Sequence, residues 1–299
     1  MKRFLPIVFL GLFSLAVAQK PIVYKDNAKE PRLIIQGNQG FFVPGESFEL
    51  NGNVQIKRIS GSGDSSLETL MTCSKASGTL VKINGKMEVD NVRMTGGIKF
   101  SQTSVNNSTV ATGDSAEYDL KDGLREINVK GGVEISFGGK GTTEKPKKDG
   151  KKELIQINSV MSTTSQSATL TFKIKIDDKK REVADLQSAI VRGPIQFNGT
   201  QLTKDASGER QQKVFAKADK MTYTISGESG KPEVRLEGNL EFRELDSADG
   251  GAVVEGATLL ILQLNDKKEI IKIRFRSDEG KQVKTTITKA DSNGKKGGA

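Results

Sequence analysis

The chain has 299 residues, with 46 Lys and Arg against 37 Asp and Glu, a net charge of +9 and an isoelectric point near 9.4. It has no histidine, no tryptophan and one cysteine, Cys73, which excludes His-based triads, histidine metal ligands, the usual proton shuttle at neutral pH and any intrachain disulfide. Carboxylate catalysis would need acids that converge, and these are scattered through turns and alternating runs, so the composition predicts a protein that is not an enzyme and needs no cofactor or metal.

Residues 1–18 begin with Lys2-Arg3, continue as an apolar run over 4–15 and end in Ala16-Val17-Ala18 before Gln19. This is the pattern of a cleavable secretory signal peptide, and the run is shorter than the roughly 20 apolar residues a spanning helix needs. No cysteine follows it to carry a lipid. The expected mature chain is therefore exported, periplasmic and still basic. With no Trp and three Tyr it lacks the aromatic platforms of a single-strand nucleic-acid binder, so the expected partner is an anionic envelope component or lipid headgroup, with no nucleic acid.

Residues 19–31 read as a polar extended segment. Within 32–137, the first expected half of the body, Leu33-Ile34-Ile35, Phe41-Phe42-Val43 and Phe48-Glu49-Leu50 are short strands, punctuated by Gly37, Gly40, Pro44 and Gly45. Residues 54–59 run into a glycine- and serine-rich loop over 60–64. Val81-Lys82-Ile83 and Met87-Glu88-Val89 flank Asn84-Gly85, a pair suited to a two-residue hairpin turn. Residues 116–120 and 124–129 likewise flank Lys121-Asp122-Gly123. The Gly/Lys-rich stretch 138–152 has no periodicity and predicts a flexible hinge between two halves. In the second half, 153–289, residues 170–176 alternate strictly and turn at 177–180; further strands are expected at 188–197, 214–225, 234–242, 258–264, 269–275 and 285–288. No stretch longer than about eight residues keeps a helical period; the best candidate, 182–190, is short. Residues 290–299 predict a disordered tail.

A cassette of glycine, a turn-type residue and two apolar residues around a polar one recurs along this all-β pattern. It reads Gly52-Asn53-Val54-Gln55-Ile56, Gly96-Gly97-Ile98-Lys99-Phe100, Gly131-Gly132-Val133-Glu134-Ile135, Gly193-Pro194-Ile195-Gln196-Phe197 and Gly238-Asn239-Leu240-Glu241-Phe242. Because side chains alternate along a strand, Val54, Ile56, Ile98, Phe100, Val133, Ile135, Ile195, Phe197, Leu240 and Phe242 share one face and the residues between them the other. Two copies carry an upstream signature: Ala111-Thr112-Gly113-Asp114 with Tyr118, and Ala216-Lys217-Ala218-Asp219 with Tyr223. A recurrent glycine inside a strand marks a bulge or bend, so the grammar is strand, tight turn, strand, glycine, strand. It favours sheets that fold over on themselves, as a jelly roll, β-helix or sandwich.

This combination resembles the OstA-like, LptA-type family of lipopolysaccharide-transport periplasmic proteins, most closely at Leu236-Glu237-Gly238-Asn239-Leu240-Glu241-Phe242. The resemblance implies an antiparallel β-jelly-roll whose two sheets meet as a V, either elongated or as two consecutive halves, with the ten cassette side chains as a lipid groove. Its implied role is outer-membrane biogenesis: a periplasmic bridge that carries lipopolysaccharide or a similar anionic amphiphile. Such bridges assemble head-to-tail, with themselves or with other jelly-roll transport proteins, through exposed strand edges. On that reading Lys57, Arg58, Lys99, Lys130, Arg192 and Arg243 form a headgroup rim, and 32–35 and 271–275 are the docking edges. The mature chain is longer than a typical single roll of the family. The alternative role is a structural or adhesive envelope protein with a closed core and no lipid cargo.

Overall fold

The computed structural model describes residues 21–26, 32–43, 45–60, 66–83, 85–104, 107–146, 152–176, 182–206, 208–227, 230–246, 250–265, 270–278 and 282–288. The proposed signal segment, the 61–64 portion of the first loop, the 177–180 turn and the C-terminal tail lie outside them. Among the described residues there are strands and turns but no helix. In chain order the strands are β1 (Ile22–Lys25), β2 (Leu33–Gly37), β3 (Gln39–Val43), β4 (Ser47–Ser60), β5 (Leu67–Ile83), β6 (Lys86–Thr103), β7 (Asn107–Lys121), β8 (Leu124–Pro146) and β9 (Lys152–Ile176). They continue as β10 (Glu182–Asp205), β11 (Gly208–Thr224), β12 (Glu233–Glu237), β13 (Glu241–Asp246), β14 (Gly250–Glu255), β15 (Leu259–Leu264), β16 (Ile270–Arg276) and β17 (Lys284–Thr288). Every pairing is antiparallel, and from β4 to β11 each strand pairs with the next, forming an unbroken meander.

Strands β4 to β11, of 14 to 25 residues, are too long to lie in one flat sheet, and they bend where the register breaks. The breaks fall between Asn51 and Val54, Thr95 and Ile98, Lys130 and Val133, and Arg192 and Ile195, which are the glycine steps of the cassettes. At the β8 step, Gly131 and Gly132 together oppose the single residue between Ser165 and Ser167, a bulge of two residues against one. Gly131 has φ +78 and Gly132 φ +53, a left-handed pair that only glycine, or asparagine at the second place, adopts cheaply. The motif ahead of the cassette follows from the same corner. A Cβ on Gly131 would meet Asp114 Oδ2 at 2.3 Å, and one on Gly238 would meet Asp219 Oδ2 at 2.4 Å. Asn239 Nδ2 donates to Asp219 Oδ2 at 2.8 Å. The motif's small side chains, Ala111, Ala216 and Ala218, are buried beside the bend.

The bends divide the meander into two leaves joined along a spine of corners. The near leaf holds β3, residues 47–51, 75–83, 86–95, 115–121, 124–130, 167–176, 182–192 and 220–224, then β12, β15 and β16. The far leaf holds β1, β2, residues 54–60, 67–72, 98–103, 107–113, 133–146, 152–165, 195–205 and 208–218, then β13, β14 and β17. Together they make an elongated antiparallel jelly roll, V-shaped in section and open along one side. Aromatic pairs cross from leaf to leaf along its length: Tyr24 with Phe42 at 5.6 Å, Phe100 with Phe172 at 5.5 Å, Phe137 with Tyr223 at 6.5 Å and Phe242 with Phe275 at 5.1 Å.

The hairpin at Asp122-Gly123 closes Lys121 on Leu124 with φ +50 and +74, the two left-handed positions of a type I′ turn. Ile83 pairs with Lys86, and Gly85 before Lys86 takes φ +79; Asn84, the other half of the expected turn, lies outside the described residues. Residues 22–25, within the segment read as extended, form β1, and residues 182–190 are strand, with β9 paired to 182–186 and 188–190 and β11 to 188–190. One expectation is corrected. The Gly/Lys-rich stretch is no hinge: residues 138–146 pair with 152–160 as one hairpin arm, and both leaves run past it without interruption. Beyond Gly139, where the described part of β7 ends, the alternation is carried by the partner arm, whose Ile155 and Ile157 are buried in register with Thr143 and Gly141.

Candidate functional site

The ten cassette side chains all belong to one continuous core. Phe100 is 1% exposed, Ile135 0% and Leu240, the least covered of the ten, 8%. They sit immediately after the corners, where the two leaves converge, and they pack as a dry interior. The space between the leaves opens farther along the strands, toward the mouth of the V. There a cleft is lined on the far leaf by Leu67, Gln102, Phe137, Met161 and Phe197, and on the near leaf by Phe172, Leu186, Met221, Tyr223 and Val234. Of the ten cassette residues only Phe197 lines it. The free volume is about 70 Å³, against about 300–1,000 Å³ for pockets that hold small ligands. The sequence carried a signal for these lining positions that went unused: Phe137 continues the Val133-Ile135 alternation outward, and Tyr223 ends the A-x-[GA]-D-x3-Y motif.

The rim assignment is corrected. Lys99, Lys130, Arg192 and Arg243 are exposed, each next to a buried residue of its strand, so alternation turns them to the outer faces, beside the corners or the core strands and away from the mouth. Lys57 pairs with Glu68 across the far leaf at 2.7 Å, on the outer face as well. Arg58 lies on the inward alternation of β4 with Val54 and Ile56. Its Nε donates to both Glu88 oxygens at 2.9 Å, its Nη2 lies 2.8 Å from Oε1, and its Nη1 donates to Ser60. Glu88 also accepts from Arg125 Nη2 at 3.3 Å. This Arg58–Glu88–Arg125 cluster links the far leaf to the near leaf at the mouth. Tyr118 lies within its field, and its hydroxyl pKa is pushed up to about 12, chiefly by burial.

Of the two expected docking edges, 33–35 is interior to the sheet, because β2 pairs with β1 and β4, whereas β16 pairs, among the described residues, with β15 alone. Among the described residues the free edges are β1 and β3 at one end and β16 and β17 at the other. Exposed large apolar side chains concentrate there: Val23, Phe41, Val43, Ile271 and Ile287, the last 73% exposed.

Among the described residues no group of three Cys, Asp or Glu could hold a metal. A scan against protein-family models, a search of curated proteins and a search of solved structures each found no match to this chain.

Proposed function

We propose that the chain is a non-enzymatic periplasmic carrier that shields the acyl part of lipopolysaccharide, or of a similar anionic amphiphile, between its two leaves. The observation that carries this reading is the apolar cleft at the open side of the V, lined from both leaves by Phe137, Phe172, Leu186 and Tyr223. Its small volume means that loading requires the leaves to part along the mouth. Burying a chain of about a dozen carbons would return on the order of 10 kcal/mol before ordering costs, enough to offset that opening. Export rests on the pattern of residues 1–18. End-to-end assembly with a second copy, or with another open jelly roll, is supported by unpaired apolar edges at both ends, a surface that soluble proteins usually blunt with charge or proline.

The test is uptake. Mature protein purified from its native envelope should yield an anionic lipid on solvent extraction and mass spectrometry, and Leu186→Glu, at a half-buried cleft position, should abolish uptake while the protein stays folded. A Leu186→Glu protein that loads normally would remove the cleft from consideration. The dense packing of the cassette residues favours a second reading, a structural or adhesive envelope protein with a closed core. That reading expects no extractable lipid and tight retention on cell-wall or surface polymer.

A further inference from the structure

Two guanidinium groups in the cluster at the mouth share one carboxylate, and they share it unequally. Arg58 takes Glu88 through contacts of 2.8 and 2.9 Å, while Arg125 holds only one at 3.3 Å. The Arg125 side chain is 8% exposed, and its Nε and Nη1 have no hydrogen-bond partner. Asp90, a second carboxylate whose field reaches Tyr118, is engaged by Leu120 N and Asn91 Nδ2, each at 2.8 Å. Buried donors are nearly always satisfied, and an uncompensated buried charge is strongly unfavourable. The buried Arg274 Nε is a weaker case, because that side chain is 31% exposed and its Nη2 holds Glu233 at 3.1 Å. Register places Arg125 at one end of the cleft: Arg125 pairs with Phe172 and Ser60 with Leu67, and both Phe172 and Leu67 line the cleft.

We infer that Arg125 anchors the acidic headgroup of an amphiphile, a phosphate or carboxylate oxyanion, whose hydrocarbon extends from Phe172 and Leu67 along the cleft. This rests on the carrier reading and deepens it: the cargo is selected by one oxyanion drawn inside the mouth, and the outward-facing lysines contribute no contact. A headgroup oxygen supplies the acceptor that Glu88, already committed to Arg58, does not.

Calorimetric titration of the mature protein with dodecyl phosphate, dodecanol and inorganic phosphate tests this, each probe below its aggregation threshold. The wild type should bind dodecyl phosphate at least roughly tenfold more tightly than dodecanol, the range of a charge-assisted hydrogen bond, and inorganic phosphate more weakly than either. Arg125→Leu should erase that preference while keeping dodecanol affinity. It should also fold with unchanged or raised Tm, because it leaves Arg58 and Glu88 as a balanced pair. A folded Arg125→Leu protein that retains the preference overturns the inference and leaves the carrier standing. Inorganic phosphate binding as tightly as dodecyl phosphate overturns it in favour of a free-anion site. No binding of either dodecyl compound by the wild type overturns the carrier and the anchor together.

Discussion

Cys73 lies beside the corner spine with 7% exposure, and its thiol donates to Lys75 O at 3.2 Å. Burial pushes its pKa up to about 11. Since the thiolate is the reactive species, a shift of this size predicts labelling by a disulfide reagent at pH 8 about a hundredfold slower than for a free thiol, with full reactivity restored in urea. The tyrosines set the alkaline limit. Burial raises the Tyr118 pKa to about 12 and moves that of Tyr223 further in the same direction. Above pH 10 the unfolded chain loses phenolic protons that the folded chain keeps, so stability is intact below that pH and falls as pH rises through it. Absorbance titration at 295 nm should therefore show the buried phenolates appearing together with unfolding. At the same scale, Phe100 packs against Phe172 at 1% exposure, so Phe100→Asp would bury a bare carboxylate and unfold the protein. It reports on the core and is uninformative about cargo, which is why Leu186 is the better probe.

The corner is the element that converts a flat meander into two facing leaves. Gly131→Ala would combine left-handed strain with a collision against the Asp114 carboxylate at 2.3 Å and should cost about 1–3 kcal/mol in urea unfolding. Gly132→Asn should stay within about 0.5 kcal/mol, because Asn53 and Asn239 already occupy the equivalent place with φ +47 and +33 and nothing lies within 4 Å of a Cβ there. That contrast separates the two cassette positions, one constrained by contact and the other by backbone alone. The corner at Gly193 is built differently. Proline follows it, so only Gly193 takes a positive φ, +104, and its Cβ site faces Gln166. Sequence showed the recurrence of these elements, since a glycine before strict alternation is a local signal. It did not show that the strand continues through the glycine into the opposite leaf, because that continuation is fixed by pairing with neighbours on both sides.

For the whole molecule, the unbroken pairing of β8, β9 and β10 across the middle predicts one cooperative urea transition, monitored by circular dichroism, in place of the two that consecutive halves joined by a hinge would give. The cluster of Arg58, Glu88 and Arg125 was legible only as three charged residues far apart in the chain. Arg58 looked like a surface cation because Lys57 stands beside it, yet alternation sends one outward and the other inward. What the sequence determined by itself was local: the β period, the two-residue turns, the corner glycines, and which side chain of each cassette avoids water. The tertiary structure decided how deep each inward residue sits. Those next to a corner lie where the leaves touch, and those a few residues farther on line the cleft, because separation between two sheets hinged at a spine grows with distance from it.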